Sequence, residues 1–160
     1  MDKRFSACEV VELGVQIEKN GRAFYSEMAK KAGNQKAAAM FEFLSDEEKK
    51  HIAAFREISA AACDYEPEGA YPDEYFVYMN QMASQNVFTR KDSGAQIARD
   101  VRDYIDGIDV ALKFEKDSIL FYEEMRKMVP ENNRDLVDKL ISEEKKHVAM
   151  LCEMKGGCAI

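Results

Sequence analysis

Residues that interrupt helices are scarce in this sequence. Its 160 residues include only three prolines and eight glycines, and tryptophan is absent. Val, Ile and Thr are outnumbered by Ala, Glu, Lys, Met and Leu, which favour helices. The composition therefore predicts an all-α protein, and a chain of this length can form a single domain, over residues 1–160, with a substantial core.

Long apolar runs and basic clusters are also missing. No stretch approaches the length needed to span a bilayer, and the first residues lack the apolar run of a signal peptide. The formal net charge is −7, and no lysine or arginine cluster is long enough to form a basic stripe. We therefore expect no membrane or nucleic-acid partner, and a cytoplasmic location.

The four cysteines lack the spacing of a metal-binding pair. Cys8, Cys63, Cys152 and Cys158 include no CxxC motif, which argues against a zinc ribbon or an iron held by four cysteines. Cys152 and Cys158 are close enough in sequence to pair, but no partner motif supports this. The expectation is four reduced, free thiols, as is usual for a cytoplasmic protein.

An internal repeat organises the chain. The segment "IEKNGRAFYSEM" (17–28) aligns with "FEKDSILFYEEM" (114–125) at an offset of 97 residues. The segment "SDEEKKHIAAFREI" (45–58) aligns with "ISEEKKHVAMLCEM" (141–154) at an offset of 96. Each copy contains two aligned segments of helical character, so the repeat predicts one helical hairpin used twice.

Capping and breaking residues divide each copy into two long helices. The signals are Ser6 (start), Gly33 (stop), Asn34 (start) and Ala62 (approximate end) in the first copy, and Asp106 (start), Pro130 (stop), Asn132 (approximate start) and Met154 (end) in the later copy. The crossover at about 63–105 is too long for a structureless loop, and short helices are expected near 71–85 and 92–105. These features predict a four-helix bundle of two pseudo-symmetric hairpins joined by a partly helical crossover.

Each long helix has an apolar seam interrupted by one glutamate. Inward-facing positions of a bundle recur at steps of three and four residues, and at this spacing apolar or small residues surround each interruption. The interrupting residues are Glu18, Glu48, Glu115 and Glu144, and the only two histidines, His51 and His147, follow three residues after Glu48 and Glu144. Glu47 and Glu143 lie one step off the seams, so they are predicted to belong to the flanking charged surface.

Four buried carboxylates would repel one another and cost several kcal/mol each without compensating charge. Two divalent cations would balance four glutamates and two neutral imidazoles, so the pattern predicts a dinuclear metal site. The alternatives are a metal-free buried network of these residues, or a solvated acidic face with incidental histidines.

The pattern of candidate ligands resembles the di-iron carboxylate site of the ferritin-like superfamily. The positions that carry this resemblance are Glu18, Glu48-x-x-His51, Glu115 and Glu144-x-x-His147. The segments "FEKDSILFYEEM", "EEKKH" and "NVFT" (86–89) are most similar to its rubrerythrin branch. The resemblance implies a ferritin-like bundle with two iron ions, although manganese or mixed metals fit the same ligands. It makes Glu48 and Glu144 bridging ligands, with one histidine for each metal.

The same resemblance makes Glu18 and Glu115 terminal ligands, each bound to one metal. It also implies that Tyr25 and Tyr122 donate hydrogen bonds to ligand carboxylates. The alternative for these tyrosines is that they only fill the core. The chain departs from the rubrerythrin pattern in two ways. Ser118 stands where a further carboxylate is usual, and the CxxC pairs of a rubredoxin domain are missing. Gly21 and Ser118 are small enough either to leave room for an exogenous ligand or to permit close helix packing.

The function implied is a non-haem di-iron oxidoreductase that reduces hydrogen peroxide or dioxygen with electrons from a separate donor. A homodimer is expected, because the rubrerythrin branch tends to form dimers. The alternatives are a ferroxidase or other iron-handling protein, and a structural or sensory bundle that its metals only stabilise.

Overall fold

In a computed structural model, residues 5–66 and 71–158 are described, and this part of the chain is helical without strands. The ends of the expected domain, 1–4 and 159–160, and residues 67–70 of the expected crossover lie outside the described residues. The helices are α1 (Ala7–Lys31), α2 (Gln35–Ala62), α3 (Asp73–Gln85), α4 (Ser93–Asp100), α5 (Tyr104–Met125) and α6 (Arg134–Lys155). The expected all-α class is confirmed.

The first hairpin begins and ends where its capping residues predict. The Ser6 side chain accepts a hydrogen bond from the Glu9 backbone, and the Glu9 carboxylate accepts one in return from the Ser6 N–H, which is a capping box. Gly33 follows α1 with φ of 65°, a conformation that glycine adopts without steric cost. Asn34 then caps α2 by accepting a hydrogen bond from the Ala37 N–H.

The boundaries of the later helices differ from the prediction. Helix α5 begins at Tyr104, before the expected opening at Asp106, because the Asp103 side chain caps it by accepting from the Asp106 N–H at 2.8 Å. It ends at Met125, and a short turn rather than helix leads to Pro130. Helix α6 ends at Lys155, one residue beyond the expected Met154, where Gly156 adopts a φ of 92°. Local capping signals fixed these ends only to within a helical turn.

The long helices pack as α1 against α2 and α5 against α6, with α1 also contacting α5 and α2 contacting α6. Their shared core is rich in fully buried aromatic side chains, among them Phe24, Phe41, Phe55 and Phe121. The four helices therefore enclose an apolar interior in which the seam residues lie, as expected for a bundle.

Asn20, a residue without a signal in the sequence pattern, ties the crossover to α1. Its amide nitrogen donates to the carbonyls of Phe88 and Arg90 at 2.5 and 2.6 Å, and its side-chain oxygen accepts from the Gly94 N–H at 3.1 Å. A Cβ at Gly94 would lie 2.0 Å from the Asn20 carbonyl oxygen, so only glycine allows this close approach of α4 to α1.

The aromatic part of the crossover packs on the end of α5. The Tyr75 hydroxyl donates to the Glu124 carbonyl at 3.1 Å, and the Tyr71 hydroxyl donates to the Lys127 carbonyl. These rings stack on each other with centroids 4.8 Å apart. Their contacts are structural and cover the carboxyl end of α5.

The expectation of free thiols is wrong. Disulfides join Cys8 to Cys63 and Cys152 to Cys158. The first pair meets because α1 and α2 are antiparallel and of similar length, so the start of one lies beside the end of the other. The second pair meets because two left-handed glycines, Gly156 and Gly157, turn the chain back after α6. A search for CxxC spacing cannot find either contact.

Within the described residues, every helix is too short or too polar to cross a membrane. The cytoplasmic location stays a prediction, and the two disulfides are unusual for a cytoplasmic protein.

Candidate metal centre

The structure brings all six predicted metal-ligating side chains together in the centre of the bundle. Helix α1 supplies Glu18, α2 supplies Glu48 and His51, α5 supplies Glu115, and α6 supplies Glu144 and His147. Each of these residues is buried, with at most 3% of its surface exposed. They lie in mid-helix, where the apolar residues before and after them on each seam keep water out.

Three carboxylates surround the inner nitrogen of His51. Its Nδ1 atom lies 3.3 Å from Glu18 Oε2, 3.3 Å from Glu48 Oε2 and 2.9 Å from Glu144 Oε1. One potential ligand atom from each of these four residues falls within 4.8 Å of all the others. This group therefore has the donors and the spacing to hold one cation.

A second group of four forms around His147. Its Nδ1 atom lies 2.8 Å from Glu144 Oε2, 3.6 Å from Glu115 Oε1 and 3.8 Å from Glu48 Oε1. Glu48 and Glu144 belong to both groups, and each directs one oxygen toward His51 and the other toward His147. This is the arrangement in which a carboxylate can bridge two cations.

The buried polar atoms of these groups lack hydrogen-bond partners. The unpaired atoms are Glu18 Oε2, both oxygens of Glu48, His51 Nδ1, Glu115 Oε2, Glu144 Oε2 and His147 Nδ1. Buried polar atoms in native proteins are normally paired, and leaving each unpaired costs about 1–3 kcal/mol. Among the described residues, Asn86, Asn133 and Arg134 also have an unpaired buried atom, but each of the six predicted ligands has at least one. The residues present therefore fit a pair of divalent cations.

Two tyrosines hold the outer carboxylates from across the bundle. Tyr122 of α5 donates its hydroxyl to Glu18 Oε1 of α1, and Tyr25 of α1 donates to Glu115 Oε1 of α5. Each glutamate therefore has one oxygen fixed by a phenol and one oxygen free. Both tyrosines are fully buried, and burial followed by the nearby carboxylates raises the pKa of each hydroxyl well above its usual value.

Without metal, protons provide the compensating positive charge. Burial alone would lower the pKa of His51 and His147, but their carboxylate neighbours reverse this, raising the pKa of His147 to about 10 and that of His51 further. Burial and neighbouring carboxylates raise the pKa of Glu115 to about 8 and that of Glu48 well above its ordinary value. Burial opposes ionisation of Glu144, but the two imidazoles hold its pKa below the usual range.

The prediction that Glu143 is only a surface charge is wrong. Its Oε2 atom lies 3.1 Å from His51 Nε2, although 28% of its side chain is exposed. Glu47 is also close, with one ligand atom within 4.8 Å of an atom of each histidine. Both glutamates stand four residues before a histidine, a spacing that can share a helix face, but only the relative position of α2 and α6 brings Glu143 to His51.

The small residues beside the outer carboxylates permit close packing. A Cβ at Gly21 would lie 2.7 Å from the Phe114 ring, so this ring fills the space beside Gly21. The buried Ser118 hydroxyl donates to the Phe114 carbonyl of its own helix. The packing explanation for Gly21 therefore holds in this structure.

Comparison with known proteins supplies the family. Searches of curated proteins and of solved structures find no significant match. A family model described as Rubrerythrin matches residues 9–155, which include the bundle helices except the first two residues of α1, and all six predicted ligands. The chain therefore belongs to the rubrerythrin family.

Proposed function

We propose that this protein binds two iron ions in the central cluster and reduces hydrogen peroxide, with electrons from a separate donor. The observation that supports this most directly is the pair of four-residue groups that share Glu48 and Glu144. Two such groups offer a matched position to each of two neighbouring cations. Mixed carboxylate and imidazole donors suit iron or manganese better than metals that favour thiolates.

The ligand roles follow from the geometry of the oxygens. Glu48 and Glu144 would bridge the two ions, and Glu18 with His51 and Glu115 with His147 would complete one position each. Four ionised glutamates then balance the four positive charges of two ferrous ions. We also infer an approximate two-fold relation between the hairpins α1–α2 and α5–α6, which the crossed tyrosine contacts support.

When bound, a ferrous pair would supply two electrons, one from each ion, and these with two protons convert one hydrogen peroxide molecule into two water molecules. The protein's own groups hold this site in place. The Tyr25 and Tyr122 hydroxyls keep their protons near neutral pH because their pKa values are raised, so they remain donors to the outer carboxylates. The surrounding apolar residues, including the fully buried Phe55 and Phe41, limit water around the cluster.

The first test concerns the ligand assignment. The double variant Glu48→Ala and Glu144→Ala should lose dinuclear binding in anaerobic titration with ferrous iron, because both shared ligands are removed. Glu123→Ala, which removes only an exposed partner of Lys145, is the control and should bind two ions per chain like the wild type. Two ions retained by the double variant would contradict the site.

The second test concerns the substrate. Anaerobic protein with two ferrous ions per chain is mixed separately with hydrogen peroxide and with dioxygen, and oxidation is followed by stopped-flow absorbance. The proposal expects faster oxidation by peroxide, with one peroxide consumed per pair of ions. Faster oxidation by dioxygen would favour a ferroxidase or oxidase instead, and no oxidation by either would contradict redox turnover. The electron donor and the homodimer remain predictions.

A further inference from the structure

The outer nitrogen of His51 has a partner that the ligand scheme does not use. Because Nδ1 of His51 faces three glutamates of the cluster, Nε2 is the nitrogen left to contact other groups. Glu143 of α6 meets it, with Oε2 at 3.1 Å. The buried imidazole, 1% exposed, thus connects the metal cluster to a carboxylate that reaches solvent.

This contact decides which nitrogen can bind a cation. A neutral imidazole carries one proton, and an ionised carboxylate can only accept a hydrogen bond. When Glu143 accepts from His51, the proton stays on Nε2 and the lone pair of Nδ1 is free to face the cluster. The same hydrogen bond fixes the rotation of the ring and increases the basicity of the ligating nitrogen.

The corresponding residue of the first repeat has a different partner. Glu47 stands 96 residues before Glu143, but its carboxylate forms an ion pair with Lys50 one turn along the same helix. Glu143 has only a longer contact with Lys139, at 3.9 Å, and Lys139 is 70% exposed. The repeated sequence therefore supplies two chemically identical carboxylates in different roles.

We propose that Glu143 is a positioning residue that keeps His51 ready to bind a metal through Nδ1 and so makes the two metal positions unequal. This inference rests on the proposed metal binding at the cluster. Glu143 acts across the bundle, from α6 to a ligand on α2, and so makes the metal position of His51 depend on the docking of the two hairpins. The position of His147 does not share this dependence on Glu143.

The test is a competition titration of metal-free protein with Mn²⁺ or Zn²⁺ against a chelator. Glu143→Ala should weaken one of the two bound ions by about 10–100-fold, the usual effect of removing such a hydrogen-bond partner, and leave the other unchanged. Glu143→Gln retains an oxygen that can accept from Nε2, so its loss should be smaller. Glu123→Gln, at an exposed residue that contacts Lys145, is the control and should leave both affinities at wild-type values.

Two further measurements separate positioning from general effects of charge. In a His51→Ala background, Glu143→Ala should cause no additional loss, because the ligand through which it acts is gone. In wild-type protein loaded with diamagnetic Zn²⁺, long-range proton–nitrogen NMR spectra should show the His51 proton on Nε2. The same proton should lose its hydrogen-bonded chemical shift in Glu143→Ala, while circular dichroism confirms unchanged helix content.

The results distinguish this inference from the proposed function. If the wild type fails to bind two metal ions, the proposed function fails. If the wild type binds two ions and Glu143→Ala binds both with unchanged affinity, only the role of Glu143 is overturned. An equal loss from Glu143→Ala with and without His51 would also overturn it, because the carboxylate would then act by charge alone.

Discussion

Metal loading should release at least about three protons per chain at pH 7. The metal-free cluster holds protons on His51, His147 and Glu115, because the pKa values of these three groups are raised above 7. The pKa of Glu48 is also raised, by burial and by neighbouring carboxylates, and Glu144 is ionised. Binding of two divalent cations through Nδ1 and carboxylate oxygens requires neutral imidazoles and ionised glutamates. The positive charges of the metals thus replace these protons.

The expected number of released protons differs clearly from the number that groups with ordinary pKa values would release. With a pKa of about 8, Glu115 is about 90% protonated at pH 7, and the two histidines are essentially fully protonated. Histidines and glutamates with ordinary pKa values would together release only about 0.5 proton at this pH. Binding should therefore strengthen as pH rises, with the overall two-metal constant increasing by at least about three powers of ten per pH unit between pH 6 and 7.

Proton release can be measured by metal titration in weak buffer with a pH indicator, or by calorimetry in buffers of different ionisation enthalpy. Either measurement is made at a stoichiometry of two Zn²⁺ per chain. Glu123→Gln, altered at an exposed residue, should release the same number of protons as the wild type. A release below about one proton with two ions bound would refute the protonation that the structure predicts for the metal-free cluster.

Three other outcomes are expected. The free energy of unfolding of the metal-free protein should fall as pH rises from 6 to 10, because groups with raised pKa values hold more protons in the folded chain than in the unfolded one. A melting temperature that rises over this pH range would contradict this prediction. Metal loading should remove the pH dependence. Tyr122→Phe removes the donor to Glu18 and should weaken metal binding by about tenfold in chelator competition, whereas Tyr75→Phe, which loses only a carbonyl contact in the crossover, should not. Cys63→Ser removes the disulfide to Cys8, 55 residues away in sequence, and should lower the free energy of unfolding by up to about 4 kcal/mol in urea titration. Reduction of the wild-type protein should lower this free energy by at least as much.

Local chemistry explains why so much of the fold follows from the sequence. The capping residues Ser6 and Asn34 act on backbone groups within three positions, so the start of each helix in the first hairpin is visible without tertiary contacts. The later helices show the limit of this reasoning. Asp103 and Asp106 are both competent capping residues, and only the path of the chain entering α5 selects Asp103.

The sequence by itself determined which residues interrupt the apolar seams. The period of an α-helix places Glu48 and His51 on one face, and the repeat places Glu144 and His147 in the same relation, whatever the helices pack against. The cost of burying unpaired carboxylates then favours a cation site at that pattern. For this reason the six candidate ligands could be named before any distance was known.

Only the tertiary structure decided which residues meet across helices. The contact of Tyr122 with Glu18, the hydrogen bond of Glu143 with His51, and the disulfide between Cys8 and Cys63 all join different helices. Such contacts depend on the rotation of each helix about its axis and on its axial shift relative to its neighbours. These quantities come from the packing of the whole core, and no local periodicity contains them.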